Sequence, residues 1–202
     1  IIDSDNSPTN QGTLRNEIVD SVLRYLNTDS LLCWVPMPTA DLPGYETHVS
    51  RVEPLRLLQQ RTAKPILAFL ESHVWPGINI EPALDDNNII PKAQSPETHQ
   101  LIRRWVHQLS AWNLCALERA VLAGKGLLTA VRFLVEWSED FHHLHEGAPR
   151  NFGIEEAAIA ASLEVEWQVG MWGVVEDTHD VDREDLRRQF GTVVILVSGY
   201  RE

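Results

Sequence analysis

The sequence has little of what membrane-spanning, disulfide-linked or nucleic-acid-binding proteins need. No apolar run reaches the roughly 18 residues of a membrane-spanning helix. Cys33 and Cys115 are far apart and form no C-x-x-C pair, which favours free thiols in a reducing compartment over a disulfide framework. Lys and Arg number 17 against 29 Asp and Glu, a formal charge of −12, and form no basic stripe. We therefore expect no nucleic-acid or membrane partner.

The signatures of common catalytic and nucleotide sites are also missing. The sequence contains no P-loop, no G-x-G-x-x-G, no G-x-S-x-G and no H-E-x-x-H. The nearest match to a P-loop, Gly124-Lys125-Gly126, lacks the first glycine and the hydroxyl residue, so we interpret it as a loop between two helices. We expect no bound cofactor.

Most of the chain has the three- and four-residue spacing of apolar residues that is typical of amphipathic helices. We predict helices over 13–26, over 50–74 with a bend or break at Pro65, and over 96–112 after a Ser95-Pro96 cap. Two short helices, divided near Gly124 and Gly126, are predicted to follow up to residue 137.

The longest helical pattern runs from 154 to 172 and carries two apolar stripes, so we expect it to be the central post of the domain, ended by Gly173. We predict that Asp182 caps a further helix that Gly191 interrupts, and leave open whether 192–198 is a strand or a short helix. The predicted fold is mainly α: a multi-helix orthogonal bundle around a long central helix, with at most a short strand element near the C-terminus.

The densest cluster of ionisable side chains, Glu176, Asp177, His179, Asp180 and Asp182, follows Gly173 directly. A metal-dependent hydrolase centred on Asp177, His179 and Asp180 is one interpretation, although the pattern lacks the glycine and the terminal glutamate of an EF-hand. The alternative is structural: Asp177 or Thr178 accepts hydrogen bonds in a turn, Asp182 caps a helix and His179 packs at a hinge. A second group of metal-type donors is His142, His143, His145 and Glu146, which we interpret as solvated.

Three segments together resemble the assembly chaperone family that handles the α subunit of the mitochondrial ATP synthase catalytic head. They are YLNTDSLLCW at 25–34, the W-x-x-x-x-x-x-W-x-L-x-x-L-E-R-A run at 105–120 with Lys125-x-Leu127, and EEAAIAASLEVEWQVGMWGVVEDTHDVD at 155–182. The resemblance extends from about Thr13 onward. The sequence departs from the family pattern at Ala116 and Gly126, where we expect glycine and serine, and the second change questions any role for a hydroxyl at 126.

The resemblance implies a non-enzymatic molecular chaperone of the mitochondrial matrix that binds the free F1 α subunit and prevents its aggregation until it pairs with β. It implies client contacts, for which we select Glu176, Asp177, His179 and Asp180, with Glu118 and Lys125 behind them, and we expect a monomer. The family carries a β-rich domain ahead of this region. We therefore expect 1–12 to be a lead-in left from that missing domain and 13–202 to be the helical domain. Besides the chaperone and the metal-dependent hydrolase, a third possible function is that of a structural helical module that packs only on the missing domain.

Overall fold

The computed structural model describes residues 8–36, 53–84, 90–145 and 151–199. The α-helices are α1 (Pro8–Leu23), α2 (Leu55–Phe69), α3 (Pro96–Gln108), α4 (Ala111–Gly124), α5 (Leu127–Trp137), α6 (Ile154–Ala161), α7 (Leu163–Trp172) and α8 (His179–Val197). Shorter elements are 3-10 helices at Arg24–Leu26 and Glu139–His145 and a π-helical turn at Leu70–Val74. In these ranges there is no strand, only an isolated bridge between Cys33 and Leu84. The predicted mainly α fold is confirmed.

The centre of the core is α5. Every residue from Leu127 to Glu136 in this 11-residue helix is buried, so its side chains need partner helices on all sides. Phe133 meets Phe190 of α8 with ring centroids 4.9 Å apart. None of the helices in the described ranges is long and apolar enough to cross a membrane.

The prediction of one long central helix over 154–172 is wrong. The helix α6 ends at Ala161, and α7 begins at Leu163 after Ser162, whose hydroxyl donates to the Ala158 carbonyl at 2.8 Å. Serine bonds of this kind to the preceding turn often bend helices. Three residues of α6 are buried and none of α7, so the second half of the predicted post lies outside the core.

The cap predicted at Ser95 is confirmed, since its hydroxyl oxygen accepts the Thr98 N–H at 3.1 Å. The helix that follows is shorter than predicted, because it ends at Gln108 and Ser110 caps α4 by accepting the Asn113 N–H at 3.3 Å. The predicted division near Gly124 and Gly126 separates α4 from α5, as expected.

The start of α1 differs from its prediction, and of the two outcomes predicted at Pro65, a bend or a break, the break does not occur. The helix α1 begins at Pro8, inside the stretch predicted as a lead-in. The helix α2 continues through Pro65 without a break, and its π-helical turn starts only at Leu70. The start predicted for this helix, at residue 50, lies outside the described residues.

The helix α8 is continuous from His179 to Val197, so the segment 192–198, left open above, is helical as far as Val197. Phe190, Val193 and Val197 are spaced three and four residues apart and are buried on one face. Two predictions are wrong here: Gly191 does not interrupt the helix, and Thr178, not Asp182, occupies the N-cap position. Core packing has overridden the β-branched composition of this segment.

Candidate functional site

The segment from Trp172 to Asp182, called the junction below, reverses the chain between α7 and α8. Gly173 ends α7 with a φ of 96°, a left-handed value that favours glycine. The Val175 N–H donates to His179 Nδ1 at 3.0 Å, and the His179 N–H donates to the Val175 carbonyl at 3.2 Å. These two bonds close the turn and fix the start of α8.

His179 is half-buried and has a structural task in this turn. Because its Nδ1 accepts a hydrogen bond from Val175, the proton of the neutral ring belongs on Nε2. This geometry agrees with the interpretation of His179 as a residue that shapes the turn.

The acidic side chains predicted to lie together do so. Glu176, Asp177 and Asp180 are exposed around the turn, and Asp177 adopts a φ of 59°, which Asp tolerates better than most residues. In the ranges that the structure describes, no ion pair joins Glu176, Asp177 or Asp182 to a cation. The junction therefore presents carboxylates that nearby basic side chains do not neutralise.

Two arginines of α8, Arg183 and Arg187, form ion pairs with acidic residues of neighbouring helices. Arg183 makes a bidentate pair with Glu166 of α7, at 2.5 and 2.6 Å, and this hydrogen bonding lowers the pKa of Glu166. Arg187 makes a second bidentate pair with Glu155 of α6, at 2.8 and 3.0 Å. The two pairs tie α8 to α6 and α7 across the break at Ser162.

The junction also exposes apolar side chains. Trp172 is 74% exposed, Val174 54%, Val175 58% and Val181 58%. Trp172 meets the ring of Trp167 edge-on at 6.3 Å, and Trp167 Nε1 donates to the Glu53 carbonyl at 2.9 Å. A helix without a fully buried residue, which ends in an exposed tryptophan and is followed by exposed valines, is a surface suited to a protein partner.

Glu118 and Lys125 belong to α4 and its C-terminal end. Glu118 is half-buried and Lys125 is exposed, with a φ of 55° at the residue that ends the helix. No hydrogen bond or ion pair connects either side chain to the junction in the part of the chain described. Four of the six predicted client-contact residues therefore lie together at the junction. Glu118 and Lys125 make no such contact with those four in the described residues.

The metal-dependent hydrolase centred on Asp177, His179 and Asp180 has no support in the geometry. Among the described residues, no three His, Cys, Asp or Glu side chains are arranged as metal ligands would be. His179 Nδ1 is engaged by the turn. In the second group, His145 stacks on Phe69 with centroids 5.4 Å apart and its Nε2 lies 3.0 Å from the Val135 carbonyl, so this histidine packs against the bundle.

The exposed apolar residues of the junction were not predicted from the sequence. Trp172 is the last residue of the helical pattern over 154–172, and it belongs by spacing to one of the two apolar stripes that were expected to face the core. A helical pattern shows which residues share a face and not what covers that face. The available signal was the pair Val174-Val175 after the helix-ending Gly173, since apolar residues beyond a helix end cannot belong to its inward stripe.

Two mitochondrial proteins of fungi are similar in sequence to most of the chain. No family model matches the chain. It is 32% identical over 184 residues to the mitochondrial protein ATP12 of Saccharomyces cerevisiae, a match that covers 88% of this chain and 52% of that protein. It is 27% identical over 175 residues to mitochondrial atp12 of Schizosaccharomyces pombe, covering 87% of this chain and 51% of the relative.

The chain is homologous to the ATP12 proteins. It spans about half the length of these two relatives. Among solved structures, a mutant of Paracoccus denitrificans Atp12p superposes with a TM-score of 0.62 at 18% identity, covering 92% of this chain and 66% of that one. At that identity the likeness shows a shared fold. The mitochondrial setting implied by the motif resemblance agrees with the names of both fungal ATP12 relatives.

Proposed function

We propose that this chain is a molecular chaperone for ATP synthase assembly in the mitochondrial matrix. It binds the free F1 α subunit, prevents its aggregation and yields it to the β subunit. The observation that carries this proposal is the homology to ATP12 proteins, which covers 88% of the chain in the match to the Saccharomyces cerevisiae relative. The mainly helical fold, which carries no catalytic signature in its sequence, is compatible with a binding role.

The proposed contact with the client is centred on the junction. Glu176, Asp177 and Asp180 supply negative charge that is open to solvent, and His179 holds the turn that presents them. Charge of this kind speeds the encounter with a complementary face, while apolar contact lengthens the lifetime of the complex. The β subunit displaces the chaperone when it offers the α subunit a larger interface. Glu118 and Lys125 remain proposed contacts in a second region of the surface.

The experiment dilutes denatured F1 α subunit into buffer that contains the purified chain and follows aggregation by light scattering. The chain is expected to suppress scattering in a concentration-dependent manner, and later addition of the β subunit is expected to release α into an αβ complex. Size-exclusion chromatography with mass detection measures the complex and tests the proposed monomeric state of the chaperone.

The junction is tested with the triple variant Glu176→Lys, Asp177→Asn and Asp180→Asn. Asparagine is chosen at 177 because it tolerates the left-handed backbone there. The matched control is Glu17→Lys, which alters an exposed acid on α1. The triple variant should need roughly tenfold more protein for equal protection, and the control should behave as the unmodified chain. No protection by the unmodified chain would overturn the chaperone assignment, and equal protection by the triple variant would overturn the acidic site.

A further inference from the structure

We infer that the junction recognises an apolar client segment flanked by Lys or Arg, with Trp172 and Val181 making the apolar contacts and the carboxylates of the turn and of α8 making the ionic ones. This inference rests on the proposed chaperone function and specifies the chemistry of its client. It concerns four exposed apolar residues, Trp172, Val174, Val175 and Val181.

The exposed apolar residues of the junction form a group and are not scattered over the surface. Single exposed apolar residues are ordinary on protein surfaces, but these four follow one another within a single chain reversal and each is more than half exposed. Tryptophan is among the residues that most often dominate binding at protein interfaces. Trp172 is therefore the expected anchor of the client segment.

The anchor is held in place before the client arrives. Trp172 packs edge-on against Trp167, which in turn is hydrogen-bonded to the Glu53 carbonyl at 2.9 Å. The two hydrogen bonds between Val175 and His179 fix the backbone on the other side of Gly173. A surface whose side chains are already ordered loses less conformational entropy on binding.

The charge of the partner follows from what surrounds the apolar residues. A surface depression of about 540 Å³ on α8 is lined by Asp180, Val181, Glu184, Asp185 and Arg188. Arg188 pairs with Asp185, and Arg187, which is not part of this lining, pairs with Glu184 at 2.8 Å. Among the described residues Asp180 has no ion pair, and together with Glu184 and Asp185 it sets three carboxylates against one guanidinium in the lining, which leaves the depression negative. A Lys or Arg side chain fits this lining, because its methylene stem can cover Val181 while its charged end meets the carboxylates.

The same charges disfavour other occupants. A second copy of the chain packed on the junction by symmetry would bring Glu176, Asp177 and Asp180 against their own counterparts, and like charges across an interface are repulsive. An acidic segment or an anionic lipid surface would be repelled for the same reason. The arrangement thus selects a basic and apolar partner.

The test uses two labelled synthetic peptides with the same Leu-Val core, one flanked by lysines and one by glutamates, and measures fluorescence anisotropy. The unmodified chain should bind the lysine peptide at least about tenfold more tightly than the glutamate peptide, and added salt should weaken that binding. Equal affinity for the two peptides would overturn the inference.

The apolar contacts are tested by Trp172→Ser with Val181→Ser, against Ile195→Ser as the matched control. Ile195 lies on the same helix as Val181 and is 75% exposed. The double variant should bind the lysine peptide about tenfold more weakly, and the control should bind it unchanged.

Asp180→Asn with Glu184→Gln tests the charges independently of Trp172, and should reduce both the affinity and its salt dependence. Unchanged affinity in either double variant would contradict the inference.

The failure of this inference can be told apart from the failure of the proposed function by repeating the α subunit aggregation assay with the same variants. If the unmodified chain protects α and the Trp172/Val181 variant protects it equally, the inference is wrong and the chaperone function stands. If the lysine peptide binds as expected but α is not protected, the binding chemistry stands and the α subunit is not the client.

Discussion

Asp29 and Leu128 are 99 residues apart in the chain, and an Asp29 carboxylate oxygen accepts the Leu128 backbone N–H at 2.8 Å. The other oxygen accepts the Leu31 N–H at 3.0 Å. Gly126, at the N-cap position of α5, has no side chain to offer, so Asp29 supplies the missing acceptor from a distant part of the chain. The central helix of the bundle is thus capped by tertiary structure.

Burial raises the pKa of Asp29 from an ordinary value of 3.8 to about 6, against the lowering effect of its backbone hydrogen bonds. The pKa of Asp29 is higher in the folded protein than in the unfolded chain. Its contribution to the free energy of unfolding is therefore fully present below pH 3.8, where the carboxyl is protonated in both states, and is lost as the pH rises through about 6. The free energy of unfolding of the native sequence should therefore fall, relative to Asp29→Asn, by on the order of 2–3 kcal/mol across this window.

Urea denaturation of both proteins at several pH values from about 4 to 7 measures this difference. Glu17→Gln, at an exposed position of α1, is the control and should show the pH dependence of the native sequence. Parallel curves for the native protein and Asp29→Asn would contradict the assignment of the titration to Asp29.

Gly126 is needed because of the close approach of the Asp29 carboxylate. A Cβ atom at 126 would lie 3.0 Å from Asp29 Oδ1, whereas the backbone there is extended, with a φ of −148° that any residue adopts. Gly126→Ala should therefore lower the free energy of unfolding by about 1–3 kcal/mol through this contact alone.

A double-mutant cycle with Asp29→Ala tests the origin of that loss. In the Asp29→Ala background the contact is absent, so Gly126→Ala should cost much less than it does in the native sequence. Equal costs in the two backgrounds would show that the carboxylate is not the reason for the glycine.

Arg132 and Glu136 form an ion pair in the core of the bundle, with Arg132 Nη1 2.6 Å from Glu136 Oε2 and both side chains almost fully buried. Arg132 also donates to Asn151 Oδ1 at 2.8 Å, and its guanidinium carbon lies 3.9 Å from the centre of the Phe69 ring. Glu136→Gln should lower the free energy of unfolding by about 3–5 kcal/mol, because it leaves a buried charge without its partner.

Adding Arg132→Met to Glu136→Gln should recover part of that loss. The double variant contains no buried charge at these two positions, and the amide oxygen that replaces the carboxylate can still accept the Asn151 N–H, which Glu136 Oε1 accepts at 2.7 Å. Urea denaturation of the two single variants and the double variant gives the coupling free energy. Additive losses would mean that the pair contributes nothing beyond its separate side chains.

Local chemistry predicted the helical regions well. The apolar spacing over 96–137 and the cap at Ser95 depend on residues within one or two turns of one another, and both appear in the structure. The continuity of α8 depends on packing between helices, which periodicity does not contain. The break between α6 and α7 lies at Ser162, whose side-chain bond to the preceding turn is not recorded by a pattern of apolar residues. The cap of α5 by Asp29 could not be predicted, because nothing local relates residues 29 and 128.

In the candidate site, too, the features that depend on neighbouring residues were predictable and those that depend on packing were not. Glu176, Asp177, His179 and Asp180 are neighbours in sequence, so their grouping around one turn was predictable. Burial depends on what the rest of the chain covers, and for that reason Trp172 was predicted to face inward and is exposed. Glu118 and Lys125 were selected by resemblance alone, and whether they bind the client stays a prediction.

Lys125 offers a variant that separates a structural role from a binding role. It ends α4 with a φ of 55°, in the left-handed region where most L residues are strained and glycine is not. Lys125→Gly should raise the free energy of unfolding by about 1 kcal/mol, which urea denaturation detects as a higher midpoint at unchanged slope. Lys125→Asn removes the same charge and also tolerates this backbone, so it controls for glycine flexibility.

If Lys125 contacts the client, both variants should protect the α subunit less well while remaining at least as stable as the native sequence. Full protection by both would remove Lys125 from the proposed site, and a loss of stability in Lys125→Gly would show that the lysine side chain contributes to folding through contacts that outweigh the backbone strain.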